Sequence, residues 1–140
     1  MKKIMLIGRS GCGKTTLAQA IRKIEQQAKK TQTIEYSPEV IDTPGEYVEK
    51  RYYSALIVTA ADCDIIAFVQ DCQDEVNYFP PGLAALIGKK AIGILTKMDR
   101  KNHRLEHNRQ ILKSAGVGEI FEVSAAEDIG IDKIRALLKD

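Results

Sequence analysis

Four residues near the amino terminus have the types and the spacing that phosphate binding requires. Gly8, Gly13, Lys14 and Thr15 fit the pattern G-x-x-x-x-G-K-[ST], which arises by chance at roughly one position in thirty thousand. The glycines allow consecutive backbone N–H groups to wrap around a phosphate, in conformations that a side chain would hinder. The lysine reaches the β- and γ-phosphates, and the threonine hydroxyl can ligate Mg²⁺. The pattern therefore predicts a loop that binds a nucleoside triphosphate.

The segments on either side of this loop are those that a phosphate-binding loop needs. The apolar run from Ile4 to Ile7 predicts a buried strand before the loop, and the helical pattern that begins at Lys14 predicts a helix whose N-terminus faces the phosphates. The alternative is a glycine-rich turn that caps an ordinary helix. The residues that we expect to contact the phosphates are Gly8, Arg9, Ser10, Gly11, Cys12, Gly13, Lys14, Thr15 and Thr16.

A second pattern, D-x-x-G, occurs in the segment DTPG at residues 42–45, directly after a short predicted strand. The Asp42 carboxylate at the end of a buried strand can hold the Mg²⁺ shell, and the Gly45 N–H can contact the γ-phosphate and report its presence. The same tetrapeptide is also a common turn, but its position behind a phosphate loop favours the functional interpretation. We predict that Lys14, Gly45 and Glu46 surround the reacting phosphoryl group.

A third pattern concerns the base of the nucleotide. The tetrapeptide TKMD at residues 96–99 follows another predicted strand and resembles the guanine-recognition pattern N/T-K-x-D. Its aspartate would accept hydrogen bonds from the N1–H and the 2-amino group of guanine, which adenine cannot supply. A helix cap with a solvated lysine is the alternative. A short S-A element after the last predicted strand would contact the guanine oxygen. The residues predicted to bind the base are Thr96, Lys97, Asp99, Ser124 and Ala125.

The elements that position these patterns follow from the hydrophobic pattern. Apolar runs alternate with stretches of helical periodicity, which is typical of strands joined by crossover helices. We expect an α/β fold in three layers with a mostly parallel sheet. The strands are predicted at residues 3–7, 33–36, 40–42, 64–70, 90–95 and 119–123 and the helices at residues 14–28, 51–60, 83–87, 106–115 and 131–138. The carboxyl ends of parallel strands meet at one edge of a sheet, so the three patterns should converge there.

The composition limits the class of protein. The 140 residues, 44% of them hydrophobic, are enough for one compact domain over residues 1–140. The formal net charge of +2 is spread along the chain, so nothing indicates a nucleic-acid partner. The apolar runs are far shorter than the ~20 residues that a membrane span requires. The three cysteines lack metal-ligand spacing and indicate reduced thiols, so we expect a cytoplasmic protein.

Taken in order, the four elements resemble those of the small Ras-like GTPases. More narrowly, the opening segment, the sequence DTPGEY at residues 42–47 and the compact length resemble the ethanolamine- and propanediol-utilisation P-loop proteins associated with bacterial microcompartments. This resemblance covers essentially the whole chain. It implies a compact Ras-like G domain, GTP or GDP and Mg²⁺ as ligands, shell proteins of the microcompartment as partners, and a location at microcompartments.

Two other functions stay open beside a GTPase. An acetate kinase activity has been proposed within that family, so one alternative is a kinase that transfers a phosphoryl group from ATP to a small carboxylate. The sequence offers no independent residues for an acceptor pocket. The other alternative is a non-enzymatic module that binds a nucleotide and docks on a shell.

One departure from the Ras-like pattern concerns the metal. Ras-like proteins complete the Mg²⁺ shell with a threonine between the first helix and the D-x-x-G segment, and only Thr31 and Thr33 are available here. Residues 29–33 look like a loop, whereas Thr33 is predicted to begin a strand. The resemblance therefore implies that Thr31 joins Thr15 and Asp42 as a metal ligand, with solvated side chains for both threonines as the alternative.

A second departure concerns hydrolysis. Glu46 stands where Ras-like proteins carry the glutamine that orients the attacking water. A carboxylate close to the γ-phosphate repels it unless it is protonated, turned away or bound to a cation, so we expect slow hydrolysis. Arg9 within the phosphate loop and Arg51 beyond it are candidate charge stabilisers, with solvated side chains as the alternative.

Overall fold

The computed structural model describes residues 2–31, 40–101 and 104–139, with the side chains of residues 23–31 outside the description. In this part of the chain five strands form one parallel sheet. They are β1 Ile4–Ile7, β2 Val40–Asp42, β3 Ile65–Asp71, β4 Lys90–Thr96 and β5 Glu119–Glu122. Their order across the sheet is β2-β1-β3-β4-β5.

Helices connect the strands on both faces of the sheet. They are α1 Lys14–Thr31, α2 Tyr53–Ala60, α3 Leu83–Ile87, α4 Leu105–Ala115 and α5 Ile131–Leu138. Two short 3-10 helices, Gly45–Val48 and Lys50–Tyr52, lie between β2 and α2. Among the helices of the described ranges, none is long and apolar enough to cross a membrane.

The central strands are buried on both faces because most of their residues are apolar, apart from polar residues at the ends of β3 and β4. Side chains alternate between the two faces of a strand, so each central strand contributes to two separate cores. One core packs the sheet against α2, α3 and α4, and the other packs it against α1 and α5. The predicted three-layer α/β fold is therefore confirmed.

The strand order places the phosphate loop at the point where the chain reverses direction across the sheet. From β1 the chain moves outward to β2, and it then returns to β3 on the other side of β1. The carboxyl ends of β1 and β3 open a crevice there, which is where open α/β sheets bind ligands. The segments that follow β1, β2 and β4 all begin at this edge.

Most of the predicted elements are confirmed to within two or three residues. The interpretation of residues 29–31 as a loop was wrong, because α1 continues through Thr31. Alanine and lysine favour the helix, and no glycine or proline stops it before that residue. The predicted strand at residues 33–36 lies outside the described residues.

Candidate nucleotide-binding site

The predicted phosphate loop leaves β1 and enters α1, as its pattern requires. Gly13 has a φ of 95°, a left-handed conformation that favours glycine. The Leu17 N–H donates to the Gly13 carbonyl at 2.9 Å, and the Cys12 N–H donates to the Arg9 carbonyl at 3.2 Å. The loop therefore turns tightly over the N-terminus of α1, where an anion is favoured.

The Asp42 carboxylate bridges the two residues at the start of α1. Lys14 Nζ donates to Asp42 Oδ1 at 2.8 Å and to the Thr43 carbonyl at 2.7 Å. The Thr15 hydroxyl donates to Asp42 Oδ2, also at 2.8 Å. Lys14 is only 7% exposed. The D-x-x-G segment and the phosphate loop thus meet through a network of charged hydrogen bonds.

The oxygens of Thr15 and Asp42 are suitable donors for Mg²⁺. Magnesium prefers hard oxygen ligands at ~2.1 Å in octahedral geometry, so neighbouring ligands lie about 3 Å apart. Thr15 Oγ1 and Asp42 Oδ2 are 2.8 Å apart. The donor chemistry and spacing therefore fit the predicted metal. Thr31 is the last residue of α1, and because its side chain lies outside the description its role stays a prediction.

A cavity of about 580 Å³ opens over this network. Its walls come from the phosphate loop, from residues 42–45 and from Lys97. Gly45 approaches the loop so closely that a Cβ on it would overlap Ser10. Glu46 is exposed on the 3-10 helix beyond Gly45, and it does not line the cavity. Its place beside the reacting phosphoryl group therefore stays a prediction.

Two side chains at the end of β4 form hydrogen bonds with the phosphate loop. The Thr96 hydroxyl donates to the Cys12 carbonyl at 2.5 Å, and Lys97 Nζ donates to the Gly11 carbonyl at 2.7 Å. Thr96 is 3% exposed. Lys97 has a φ of 61°, which is uncommon for a lysine. The alternative of a helix cap with a solvated lysine does not describe this segment.

Asp99 lies in a smaller cavity of about 180 Å³, which Thr16, Leu17 and Ala125 also line. The buried Ser124 hydroxyl donates to Asp99 Oδ1 at 2.7 Å and accepts the Glu127 N–H at 3.1 Å. These bonds hold the carboxylate in place. The structure thus brings Asp99, Ser124 and Ala125 together next to the phosphate loop.

Arg9 lines the cavity, its side chain is paired rather than solvated, and its role as a charge stabiliser stays a prediction. Its guanidinium pairs with Asp74, in the segment after β3, and this hydrogen bond raises the arginine pKa against the opposing effect of burial. Sequence reasoning missed Asp74 and its neighbour Asp71. The available signal was two carboxylates at the carboxyl end of a predicted strand. Arg51 is exposed and pairs with Glu49 outside the cavity.

The two cysteines near the site, Cys12 and Cys72, have buried thiols. Burial raises the pKa of the Cys12 thiol in the phosphate loop. Burial, together with the Asp71 carboxylate, raises the pKa of Cys72 to about 11. Both thiols stay protonated near neutral pH, so they act as small apolar side chains. The described residues include no group of three or more histidine, cysteine or acidic side chains that could hold a metal.

The strand order, the phosphate loop after β1, the D-x-x-G segment after β2 and the T-K-x-D segment after β4 define the fold of the P-loop GTPases. The elongation factor SelB of Methanococcus maripaludis has this fold, with a TM-score of 0.68 at 19% identity for its apo form. Its complex with the GTP analogue GppNHp gives a TM-score of 0.67 at 18% identity. Each comparison covers 97% of this chain and 32% of the SelB chain, so this chain spans about a third of SelB.

A family model described as "Ethanolamine utilisation - propanediol utilisation" matches residues 1–140, and the chain belongs to this PduV-EutP family. It is 43% identical over 136 residues to the propanediol utilization protein PduV of Citrobacter freundii, covering 96% of this chain and 91% of PduV. It is 33% identical over 138 residues to the probable acetate kinase EutP of Escherichia coli K12, covering 96% and 87%. The GTPase Der of Chlamydia caviae is 27% identical over 161 residues, covering 99% of this chain and 34% of Der.

Replacing Lys14 by Ala tests the phosphate site. We expect GTP to bind at least about tenfold more weakly, because a charged hydrogen bond to a phosphate is lost. Titration with a fluorescent GTP analogue measures the affinity, and thermal unfolding checks the fold. Lys90→Ala, at the exposed amino end of β4, is the matched control and should bind like the parent protein. A Lys14→Ala protein that does not fold would make this lysine structural instead.

Proposed function

We propose that this protein binds GTP with Mg²⁺ and hydrolyses the GTP slowly, and that it takes part in ethanolamine or propanediol utilisation. One observation carries the proposal. Thr96 and Lys97 bind carbonyls of the phosphate loop at 2.5 and 2.7 Å, so the segment that ends in Asp99 belongs to the same site as Lys14. A carboxylate can recognise the guanine of a nucleotide only if it lies at a defined distance from the site that binds the phosphates. The contacts of Thr96 and Lys97 with the phosphate loop keep the segment of Asp99 at such a distance.

Lys14 supplies the charge for the phosphates. A lysine ammonium has three N–H donors. Two of them are directed at Asp42 and the Thr43 carbonyl. The third is left for a phosphate oxygen in the cavity above. Thr15 and Asp42 would hold Mg²⁺, and the metal when bound neutralises charge that develops on the phosphates.

Slow hydrolysis follows from what the cavity lacks. An efficient GTPase places a side chain that orients water in line with the γ-phosphate. The described residues that line the cavity include no glutamine, glutamate or histidine. The only carboxylate among them is Asp42, which is engaged by Lys14 and Thr15. The Gly45 N–H then acts on the γ-phosphate without a neighbouring side chain to activate water.

An ATP-dependent acetate kinase is the second candidate, and the relative named probable acetate kinase EutP favours it. A small carboxylate acceptor needs a cation near the γ-phosphate. Of the three basic side chains among the described residues lining the cavity, Arg9 is paired with Asp74, and Lys97 is bound to Asp71 and to the loop. The third, Lys14, is bound to Asp42 and to the Thr43 carbonyl, and in this proposal its remaining donor is used for the phosphates, so it does not supply a separate cation for an acceptor. Product analysis with and without acetate separates the candidates, because acetyl phosphate forms only in the kinase.

A non-enzymatic role is the third candidate. The exposed Glu46 and the absence of a water-orienting side chain among the described cavity residues are compatible with a module that binds a nucleotide and docks on a microcompartment shell. We propose a location in the cytoplasm, at microcompartments, which membership of the ethanolamine- and propanediol-utilisation family supports. Single-turnover hydrolysis distinguishes a slow enzyme from a binding module.

Replacing Asp99 by Asn tests base recognition. The amide can donate a hydrogen bond where the carboxylate only accepted one, and xanthine has a carbonyl where guanine has the 2-amino group. The preference should therefore change from GTP toward xanthosine triphosphate (XTP) by at least about tenfold. Competition between the two nucleotides measures the change. Asp128→Asn removes an exposed carboxylate of the neighbouring loop and serves as the control. An unchanged base preference in Asp99→Asn would show that this aspartate does not read the base.

Replacing Glu46 by Gln tests the hydrolysis mechanism. We expect the parent rate to be well below about one turnover per second, and the variant rate to be equal or higher, because a charge that opposes the γ-phosphate is removed. Single-turnover release of phosphate measures both rates. Glu49→Gln, in the same exposed region, is the control. A loss of about a hundredfold with intact GTP binding would make Glu46 a general base or a cation ligand, and would favour phosphoryl transfer to another acceptor.

A further inference from the structure

Arg9 is attached to the segment after β3 by a two-pronged ion pair. Its Nε donates to Asp74 Oδ2 at 3.0 Å, and a terminal nitrogen donates to Asp74 Oδ1 at 2.6 Å. The other terminal nitrogen donates to the Ser10 carbonyl at 2.7 Å. The guanidinium also lies 5.8 Å from the centre of the Tyr78 ring. Arg9 therefore bridges the phosphate loop and residues 71–78.

Lys97 makes a second bridge of the same kind. Its Nζ donates to the Gly11 carbonyl at 2.7 Å and lies 3.1 Å from Asp71 Oδ2. Two consecutive carbonyls on the outside of the phosphate loop are thus each bound by a cation, and each cation is bound by a carboxylate. We call Arg9, Lys97, Asp71 and Asp74 the carboxylate clasp.

The carboxylate clasp sets the direction of a backbone N–H. In a trans peptide the carbonyl and the following N–H point to opposite sides. When Arg9 holds the Ser10 carbonyl, the Gly11 N–H is turned away from Arg9. Inward N–H groups are what a phosphate loop uses to bind an anion. A loop that is already fixed in this conformation loses less entropy on binding.

The segment that presents Asp74 is itself fixed. Asn108 of α4 is completely buried, and its side-chain amide donates to the carbonyls of Cys72 and Asp74 at 3.2 and 3.1 Å. The Gln70 amide donates to the Val76 carbonyl at 3.2 Å. Asp74 is therefore held at a defined position relative to the sheet. Through its ion pair with Arg9 it can hold the phosphate loop at a defined position as well.

We propose that Asp74 is a positioning residue for nucleotide binding, which acts through Arg9 and the Ser10 carbonyl to fix the phosphate loop. The inference rests on the nucleotide binding proposed above. It gives Arg9 a role different from that of a phosphate ligand. Its charge is compensated by Asp74, and three of its N–H donors are already used.

The test compares GTP and GDP affinities of Arg9→Ala, Asp74→Asn and the double variant, with thermal unfolding of each. We expect each single variant to bind both nucleotides about tenfold more weakly. The double variant should be no weaker than either single variant, because both act through one contact. Glu75→Gln is the matched control. Glu75 follows Asp74 directly, and its exposed side chain pairs with Arg104. The substitution breaks that ion pair and should leave the nucleotide affinity unchanged.

Direct binding of phosphate by Arg9 predicts different changes in nucleotide affinity. If Arg9 binds phosphate directly, Asp74→Asn frees it and raises the affinity or leaves it unchanged, and the inference is overturned. Unchanged affinities with a lower melting temperature overturn it as well. Arg9→Lys provides an independent test should Asp74→Asn fail to fold. It keeps the charge but loses the two-pronged geometry, so a clasp predicts weaker binding and a phosphate ligand predicts retained binding.

Nucleotide binding by the parent protein distinguishes a failure of this inference from a failure of the proposed function. If the parent protein binds neither GTP nor GDP, the proposed function and this inference both fail. If the parent binds them and the two single variants bind equally well, only the inference fails.

Discussion

Three consecutive carbonyl oxygens of the phosphate loop are each bound by a side chain. Arg9 binds the Ser10 carbonyl, Lys97 binds the Gly11 carbonyl, and Thr96 binds the Cys12 carbonyl, at 2.7, 2.7 and 2.5 Å. A loop that binds an anion with its N–H groups must direct its carbonyls elsewhere. These three bonds meet that requirement, and the geometry of the whole site depends on them.

The sheet explains why those partners are within reach. β1, β3 and β4 are neighbours, and all three end at the same edge. The loop after β1 therefore lies beside Asp71 at the end of β3 and beside Thr96 at the end of β4. Central strands that are buried on both faces give these ends little freedom to move. The D-x-x-G segment after β2 completes the site from the other side through Asp42.

The sequence was informative wherever function depends on local spacing. The phosphate loop, the D-x-x-G and T-K-x-D segments and most element boundaries could be predicted, because each is encoded within a few consecutive residues. The partnership of Arg9 with Asp74 could not, since it joins residues 65 positions apart and depends on β3 lying next to β1. The exposure of Glu46 does not follow from local spacing either, because it depends on the 3-10 helix that begins at Gly45.

The central claim is that Asp99 and the phosphate loop form one site for a guanine nucleotide. Competition of GDP, GTP, ADP and ATP for the purified protein in the presence of Mg²⁺ tests it most directly. We predict that guanine nucleotides bind at least about tenfold more tightly than adenine nucleotides, because adenine lacks the N1–H and 2-amino donors that guanine offers to the Asp99 carboxylate. Equal competition by ATP would contradict the account.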